Sequence, residues 1–365
     1  MDVIDLTEEL VTISSHEDEA AAGEYIERWL ADHTDAALKR DETGNVIARR
    51  NAGADTSVAL VGHHDVVPPD EGQIRDGEYV LGRRDGRLYG RGTADMKGSL
   101  AAAMVAFAEA GTAEGTEAVF ASFVGEEDGG VGCRAAIEDG FAPDYAVVGE
   151  GSTGYSAKGV TDVAIAHKGR RGSTVRAEGV AAHAGEPGAG ENAIYRAADA
   201  VGVIRGFDGP ETAVLGHDVE GSIEVTEIEG GSAWNIVPEA CSFTVDERTV
   251  PGDRVPLDRV ESVDSVSVTV DQDLPPMACD DAEFAEIALS AADAAQDGTP
   301  RQIIKPHATD AGWLAERAET TCVICGAAEP GEAHTANESV SIDVLGRCRE
   351  VYRRTLESAG MIAED

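Results

Sequence analysis

The sequence predicts an α/β fold: a domain with a mostly parallel central sheet and flanking helices, interrupted by a ferredoxin-like α+β module. Three observations predict it. Over the first ~160 residues short apolar runs alternate with helical patterns, the signature of an α/β layer. From residue 167 the texture changes to longer alternating strands with Gly-rich turns, and after Pro275-Pro276 the first texture returns. One domain split by an insert, with segments 1–166, 167–271 and 272–365, is the simplest architecture.

In order, Ser14-Ser15 precede a helix running through Trp29, and residues 57–61, SVALV, form a strand. Residues 96–110 are a helix, 118–124 a strand and 145–148 another, each short and apolar as buried parallel strands are. The insert opens with the strand GSTVRAEGV at 172–180, followed by a helix at 192–204 and a strand pair at 222–229 and 240–248. A helix near 255–263 and a strand at 265–270 complete a β-α-β-β-α-β order, the ferredoxin-like layout. Beyond it come a helix at 282–295, a strand at 302–305, a helix at 312–318, a strand at 322–325 and a terminal helix after Ser341.

The chain of 365 residues carries 69 Asp+Glu against 29 Lys+Arg, a formal net charge of -40. The acids are spread along its whole length, so this is a surface trait. Such a charge repels itself in dilute buffer, whereas at molar salt the screening length falls to about 3 Å. The expected setting is the cytosol of a high-salt cell, a halophilic adaptation. With no basic stripe, nucleic acid is excluded as a partner, and an anionic membrane surface equally. MDVIDLTEEL has no basic n-region and no apolar h-region, and no apolar run approaches the roughly 18 residues of a membrane span. A cytoplasmic location is expected. The six cysteines are scattered; Cys322 and Cys325 have the spacing of a zinc or redox pair but lie in the apolar run TCVICG, so buried strand cysteines are expected.

Chemistry gathers where apolar runs end. VALVG runs into His63-His64-Asp65, FASFVG into Glu126-Glu127-Asp128, YAVVG into Glu150, and VICGAAEPGEA into His334. In open α/β sheets ligands bind outside the carboxyl ends of the strands, so four such endings converge on one crevice. Asp95, after the glycine-rich turn LYGRGTA, can reach the same place. Two imidazoles with several carboxylates suit a borderline cation such as Zn²⁺ or Co²⁺, where an all-oxygen set suits Mg²⁺ or Ca²⁺. Two His for four or five carboxylates suggest two ions bridged by one carboxylate.

GHHDVVPP from Gly62, LYGRGTADMKGSL from Leu88, GEED from Gly125, Gly149-Glu150 and AHTANE from Ala333 together resemble the motifs of the zinc-dependent aminoacylase/carboxypeptidase metallopeptidase family. The resemblance runs over essentially the whole chain and is specific as a set. It implies His63, Asp95 and Glu150 on one metal and Asp95, Glu127 and His334 on the other, with Asp95 bridging and often joined to Met96 by a cis peptide. Asp65 resembles the carboxylate that fixes the tautomer of His63. Glu126 is implied as the general base, taking a proton from water and returning it to the leaving amine. The resemblance also makes 1–166 and 272–365 a catalytic domain and 167–271 a lid and dimerisation domain, hence a homodimer. His183 in GVAAH matches a loop whose His commonly reaches the partner subunit and stabilises the oxyanion. Arg170, Asn235 and Arg248 lie in segments that hold the substrate carboxylate, for which the planar Arg fork is suited.

Within the family the motifs look most like succinyl-diaminopimelate desuccinylases of lysine biosynthesis, which implies an N-acyl amino acid substrate. Lys305-Pro-His-Ala-Thr-Asp310 departs from the glycine-rich segment of those enzymes, which leaves acetylornithine-type deacylation and dipeptide or glutamate carboxypeptidase action open. His64 reads as a neighbour of the site, and His16, His33, His167, His217 and His307 as surface or lid residues. GEGSTG at 149–154 fits a dinucleotide-binding pattern, but no helix follows it to receive a pyrophosphate, so a nucleotide site is not expected.

Overall fold

The computed structural model describes residues 2–113 and 115–358. The contacts divide the chain into two compact units, one comprising the chain up to Ala166, Met277–Lys305 and the chain from Thr309 on, the other His167–Pro276 with Pro306–Ala308. The return crossover falls after Pro276 and not after residue 271, because the last strand of the insert runs on as Val266–Leu274.

In the first unit, strands among the described residues form a nine-stranded sheet. Its middle is parallel: Thr56–His63 pairs with Thr116–Phe123 on one side and Tyr145–Val148 on the other, and Tyr145–Val148 pairs with Thr321–Ile324. Its flanks are antiparallel, with Val46–Arg50 and then Ala37–Arg40 beyond Thr116–Phe123, and Val163–His167 beyond Thr321–Ile324. Thr116–Phe123 is buried at every position, as a strand covered on both faces must be, which is why its apolar run is continuous and not alternating. The four parallel strands point their carboxyl ends the same way.

The helix Gly98–Glu109 packs against both Val3–Thr12 and Ile342–Ser358 as well as the sheet, so apolar residues surround it; alanines at 101–103 and 106 let these neighbours approach. It begins as an α-helix only at Gly98. Asp95 (φ -129°, ψ 98°) and Met96 (φ -129°, ψ 29°) are non-helical, and the peptide joining them is cis. Met96 lies against two glycines: a Cβ on Gly62 or on Gly149 would lie 2.6 Å from its Cε, so a side chain at either would displace the end of Met96. The helix expected through Trp29 starts at Ala20 and extends to His33. The helices Val3–Thr12 and Val131–Glu138 and the strands before residue 51 were not expected from the pattern.

The second unit is built on a four-stranded antiparallel sheet in the spatial order Ser222–Gly230, Ala240–Arg248, Arg170–Glu178, Val266–Leu274. With the helix Ala193–Ile204 after its first strand, this is the ferredoxin-like arrangement. Asn192 caps that helix by accepting from the Ile194 N–H at 2.9 Å. Its Ala193, Ala197, Ala200 and Ile204 pack on Val175, Phe243 and Val245 of the sheet. The second crossover is not an α-helix. Pro256 leads into a 3₁₀ turn, Leu257–Ser262, whose i,i+3 pair Leu257 and Val260 stack over the same core.

All six cysteines are free thiols and buried, Cys322 within its strand and Cys325 just past it. Among the described residues no helix is long and apolar enough to cross a membrane.

Candidate active site

The parallel strands deliver the predicted residues to one place. Thr56–His63 ends on His63, Thr116–Phe123 leads through a tight turn at Gly125 (φ 57°) to Glu126 and Glu127, and Tyr145–Val148 leads to Glu150. His334 arrives from a loop ten residues beyond Ile324 and holds a left-handed backbone, φ 60°, which is uncommon for a residue with a side chain.

His63, Asp95 and Glu150 form one group of metal-binding atoms and Asp95, Glu127 and His334 another, with all ligand atoms in each group within 4.8 Å of one another. Asp95 serves both through different oxygens. Its Oδ1 lies 3.2 Å from His63 Nε2, and its Oδ2 lies 3.0 Å from His334 Nε2. Glu150 Oε1 is 3.3 Å from His63 Nε2, and Glu127 Oε1 is 2.9 Å from His334 Nε2. The opposite nitrogen of His63, Nδ1, faces Asp65, at 3.1 Å from its carbonyl and 3.3 Å from its carboxylate Oδ1. The other oxygen of Asp65 accepts the Glu127 N–H at 3.0 Å, so one carboxylate orients both an imidazole and the acidic turn.

The electrostatics of the cluster call for positive charge. Burial lowers the basicity of His63, but Asp65 first and then Asp95 and Glu150 outweigh it and leave the imidazole well above its usual value. His334 is pushed up to about 10 by its hydrogen bonds to Asp95 and Glu127. Asp95 is held well below the carboxylate range: burial opposes this, and the two imidazoles prevail. Glu126 goes the other way, pushed well above its usual value by burial, with His63 opposing and Glu150, Asp310 and Asp95 adding to it.

A divalent cation meets the same demand without a proton. The nitrogen to oxygen separations of 2.9–3.3 Å approach the edge of a tetrahedron whose ligands stand about 2.1 Å from its centre, about 3.4 Å. Imidazole with carboxylate is the donor set of a borderline ion, so the residues fit a pair of such ions.

Residues 59–358 match the model of peptidase family M20/M25/M40. The chain belongs to that family. It is 28% identical over 342 residues to a succinyl-diaminopimelate desuccinylase of Acidiphilium cryptum (strain JF-5), covering 88% of this chain and 87% of the relative. It is 29% identical over 229 residues to an acetylornithine deacetylase of Vibrio campbellii (strain ATCC BAA-1116), covering 60% of this chain and 57% of that one. The fold is similar to that of the aminopeptidase PepT from Bacillus cereus, TM-score 0.77 at 20% identity with 97% of each chain covered. It is also similar to the Bacillus subtilis YXEP protein, described as a dinuclear metal binding peptidase, TM-score 0.70 at 13% identity with 98% of each chain covered. As an M20 family member the chain is a metal-dependent amide hydrolase.

The remaining predicted residues lie in the second unit, in two pairs. Arg170 and Arg248 both donate through Nε to Asp246, at 2.7 and 2.8 Å, and Arg170 Nη1 donates to Gln272 at 2.9 Å. Burial raises the Asp246 carboxyl and the two arginines more than reverse it, Arg170 foremost, leaving it low. His183 ends the short strand Ala182–His183, and Asn235 lies in the turn just before its partner strand Ile236–Val237: the Ala184 N–H donates to the Asn235 carbonyl at 2.9 Å, and His183 Nδ1 accepts the Gly185 N–H at 3.1 Å.

Two residues beside the cluster were not foreseen as its neighbours. Lys305, almost fully buried, places Nζ 3.2 Å from the Glu150 oxygen that His63 does not share. Asp310 is buried below the Glu126–Gly130 turn, where a Cβ on Gly130 would come within 2.7 Å of its Oδ1. Both belong to the segment that departs from the desuccinylase pattern, and that departure was the available signal. His64 is buried beside the cluster and not in it; its Nδ1 lies 2.7 Å from Ser122 Oγ, and burial lowers its pKa to about 3.

Proposed function

We infer that the chain is a dizinc amidohydrolase that removes an N-acyl group from an acylated amino acid, with N-succinyl-LL-2,6-diaminopimelate as the leading substrate and succinate and diaminopimelate as products. The observation that carries the reading is the pair of His and carboxylate groups sharing Asp95, with Glu126 beside them. The desuccinylase likeness over 88% of the chain supports the choice of acyl group.

His63, Asp95 and Glu150 would hold one ion and Asp95, Glu127 and His334 the other; Zn²⁺ is the leading metal and Co²⁺ a workable substitute. Bound there, the ions supply Lewis acidity toward the amide carbonyl and lower the pKa of water. Glu126 takes a proton from the attacking water and delivers it to the departing amine. Burial raises its carboxyl, the direction that favours holding the proton it later gives to the amine. Asp65 keeps the Nδ1 proton of His63 in place, so Nε2 faces the cluster as an acceptor.

In the second unit His183 is assigned to the oxyanion, and Arg170, Asn235 and Arg248 to the substrate carboxylate. The same unit is the proposed dimer interface. It exposes Tyr195, Ile228, Trp234 and Ile236, with Trp234 98% exposed, an apolar display more typical of an interface than of free surface. A cytoplasmic, salt-adapted setting fits the acidity.

Acetylornithine-type deacylation or dipeptide or glutamate carboxypeptidase action is the second reading, favoured by the Lys305–Asp310 departure. Assaying succinyl-, acetyl- and peptidyl-amino acids side by side at molar salt with added Zn²⁺ separates the two. Glu126→Gln should retain both ions while kcat falls by about 10²–10⁴. A variant that keeps most of its activity would show that Glu126 is not the base.

A further inference from the structure

We propose that Glu338 is a positioning residue that holds the bridging Asp95 and ties its peptide to the turn bearing His334. The proposal rests on the reading that Asp95 and His334 hold metal ions.

Glu338 is wholly buried, and each of its carboxylate oxygens has a task. Oε1 accepts the N–H groups of Ala94 at 3.0 Å and Asp95 at 3.2 Å; Oε2 accepts from Arg91 Nη1 at 2.5 Å. Asp95 and Met96 are non-helical, so the peptide carrying the shared ligand needs an outside acceptor to fix it. A buried carboxylate needs an outside cation, and Arg91 supplies it. Arg91 in turn donates through Nη2 to the Pro68 carbonyl at 3.2 Å, on the loop that follows His63 and Asp65.

Backbone pairing closes the arrangement. Ser339–Ser341 runs antiparallel to Arg87–Tyr89, and one step beyond that register the Gly90 N–H donates to the Glu338 carbonyl at 3.1 Å. The Glu338 N–H donates to Thr335 at 3.1 Å, one residue after His334. Three ligand-bearing segments, at 63–68, 91–95 and 334–338, therefore meet at one carboxylate and its arginine. A pair serving only the fold would have no reason to bond the two peptides that set the bridging ligand.

The test uses the full chain with Glu338→Ala, Glu338→Gln and Arg91→Gln. Zn²⁺ affinity is measured by competition with a chromophoric chelator, the visible absorption of the Co²⁺-saturated protein is recorded, and kcat and KM follow on the best substrate of the panel. Wild type should bind two ions per chain. Glu338→Ala should weaken binding by about 10–100-fold, move the Co²⁺ bands and lower kcat more than it alters KM. Glu338→Gln, which keeps an oxygen for Ala94 and Asp95, should fall between Ala and wild type. If the Ala variant does not fold, the Gln variants carry the same comparison. Variants that bind two ions as tightly as wild type with unshifted Co²⁺ bands overturn the proposal, even where they melt earlier. A wild-type chain that binds no ion pair overturns the metal reading itself, so the two failures are distinct.

Discussion

Lys305→Met separates the cation built into the site from the cations the site is expected to bind. Lys305 is 5% exposed and lies 3.2 Å from Glu150 Oε2, while Glu150 Oε1 is 3.3 Å from His63 Nε2. Burial and Asp95 push the Glu150 carboxyl up; Lys305, then His63, bring it below its usual value. At an effective dielectric of about 20, two charges at this separation attract by about 5 kcal/mol, and removing one partner of a buried pair costs about 3–5 kcal/mol. For a unit of this size roughly 2 °C accompanies each kcal/mol, so the melting temperature of the metal-free protein should fall by about 6–10 °C. With Zn²⁺ added, Glu150 has a second source of positive charge, and the fall should shrink to less than half. Thermal unfolding of chelator-treated and zinc-loaded wild type, Lys305→Met and Lys305→Arg provides the comparison, the Arg variant keeping the charge. Equal losses with and without zinc would refute the reasoning, since Lys305 would then be holding something other than the ligand Glu150.

Three further outcomes are expected. Neither carboxylate oxygen of Asp310 has a hydrogen-bond partner among the described residues, and burial foremost, opposed by His63 and assisted by Asp65 and Glu150, pushes its pKa up to about 7. Its proton is bound more tightly in the folded chain, so this contribution to stability is full below about pH 3.9 and lost as pH rises through about 7. Asp310→Asn should therefore gain on wild type between pH 5 and 8, by about 2.7 kcal/mol, in urea unfolding of the metal-free protein; a constant difference across that range counts against the shift. Trp234→Asp with Ile236→Asp should convert a dimer into a folded monomer in analytical ultracentrifugation, and an unchanged sedimentation coefficient would remove this face from the interface. With a net charge of -40, the unfolding midpoint should climb as KCl rises from about 0.1 to 2 M, where the screening length drops from about 10 Å to a few ångströms; a flat salt series would show that surface repulsion is not limiting.

Strand ends were the legible part of the fold. VALVG, FASFVG and YAVVG are continuous apolar runs because both faces of each strand are covered, and the polar residue that breaks each run is the one brought to the crevice. What stayed hidden depends on contacts far apart in the chain. Lys305 meets Glu150 across 155 residues, and nothing local to either reports it. The helix Val3–Thr12 is ten residues long and depends on packing against distant segments, Gly98–Glu109 and Ile342–Ser358 foremost, so local pattern underrates it. The α-helix read into 255–263 is a 3₁₀ turn in the structure, Leu257–Ser262, where only Leu257 and Val260, three residues apart, are buried.

Four buried acids of this acidic chain each have a cation beside them. Glu150 has Lys305, Glu338 has Arg91, Glu247 has Arg171, and Glu117 has Arg49, and in each pair the carboxylate is at most 12% exposed. A buried carboxylate must be paired or protonated, whereas an exposed one can be left to water and salt. With 29 basic residues for 69 acids, pairing cannot extend to the whole surface, and the excess there depends on screening. Interior cations and surface acids are thus two sides of one constraint. Asp310 and Glu126 differ from these pairs: among the described residues no arginine or lysine pairs with either, and burial drives both toward the neutral form. Asp95 and Glu127, the proposed ligands without such a cation, differ from both classes, since imidazoles are their protein partners, and this lets exogenous cations compete for them.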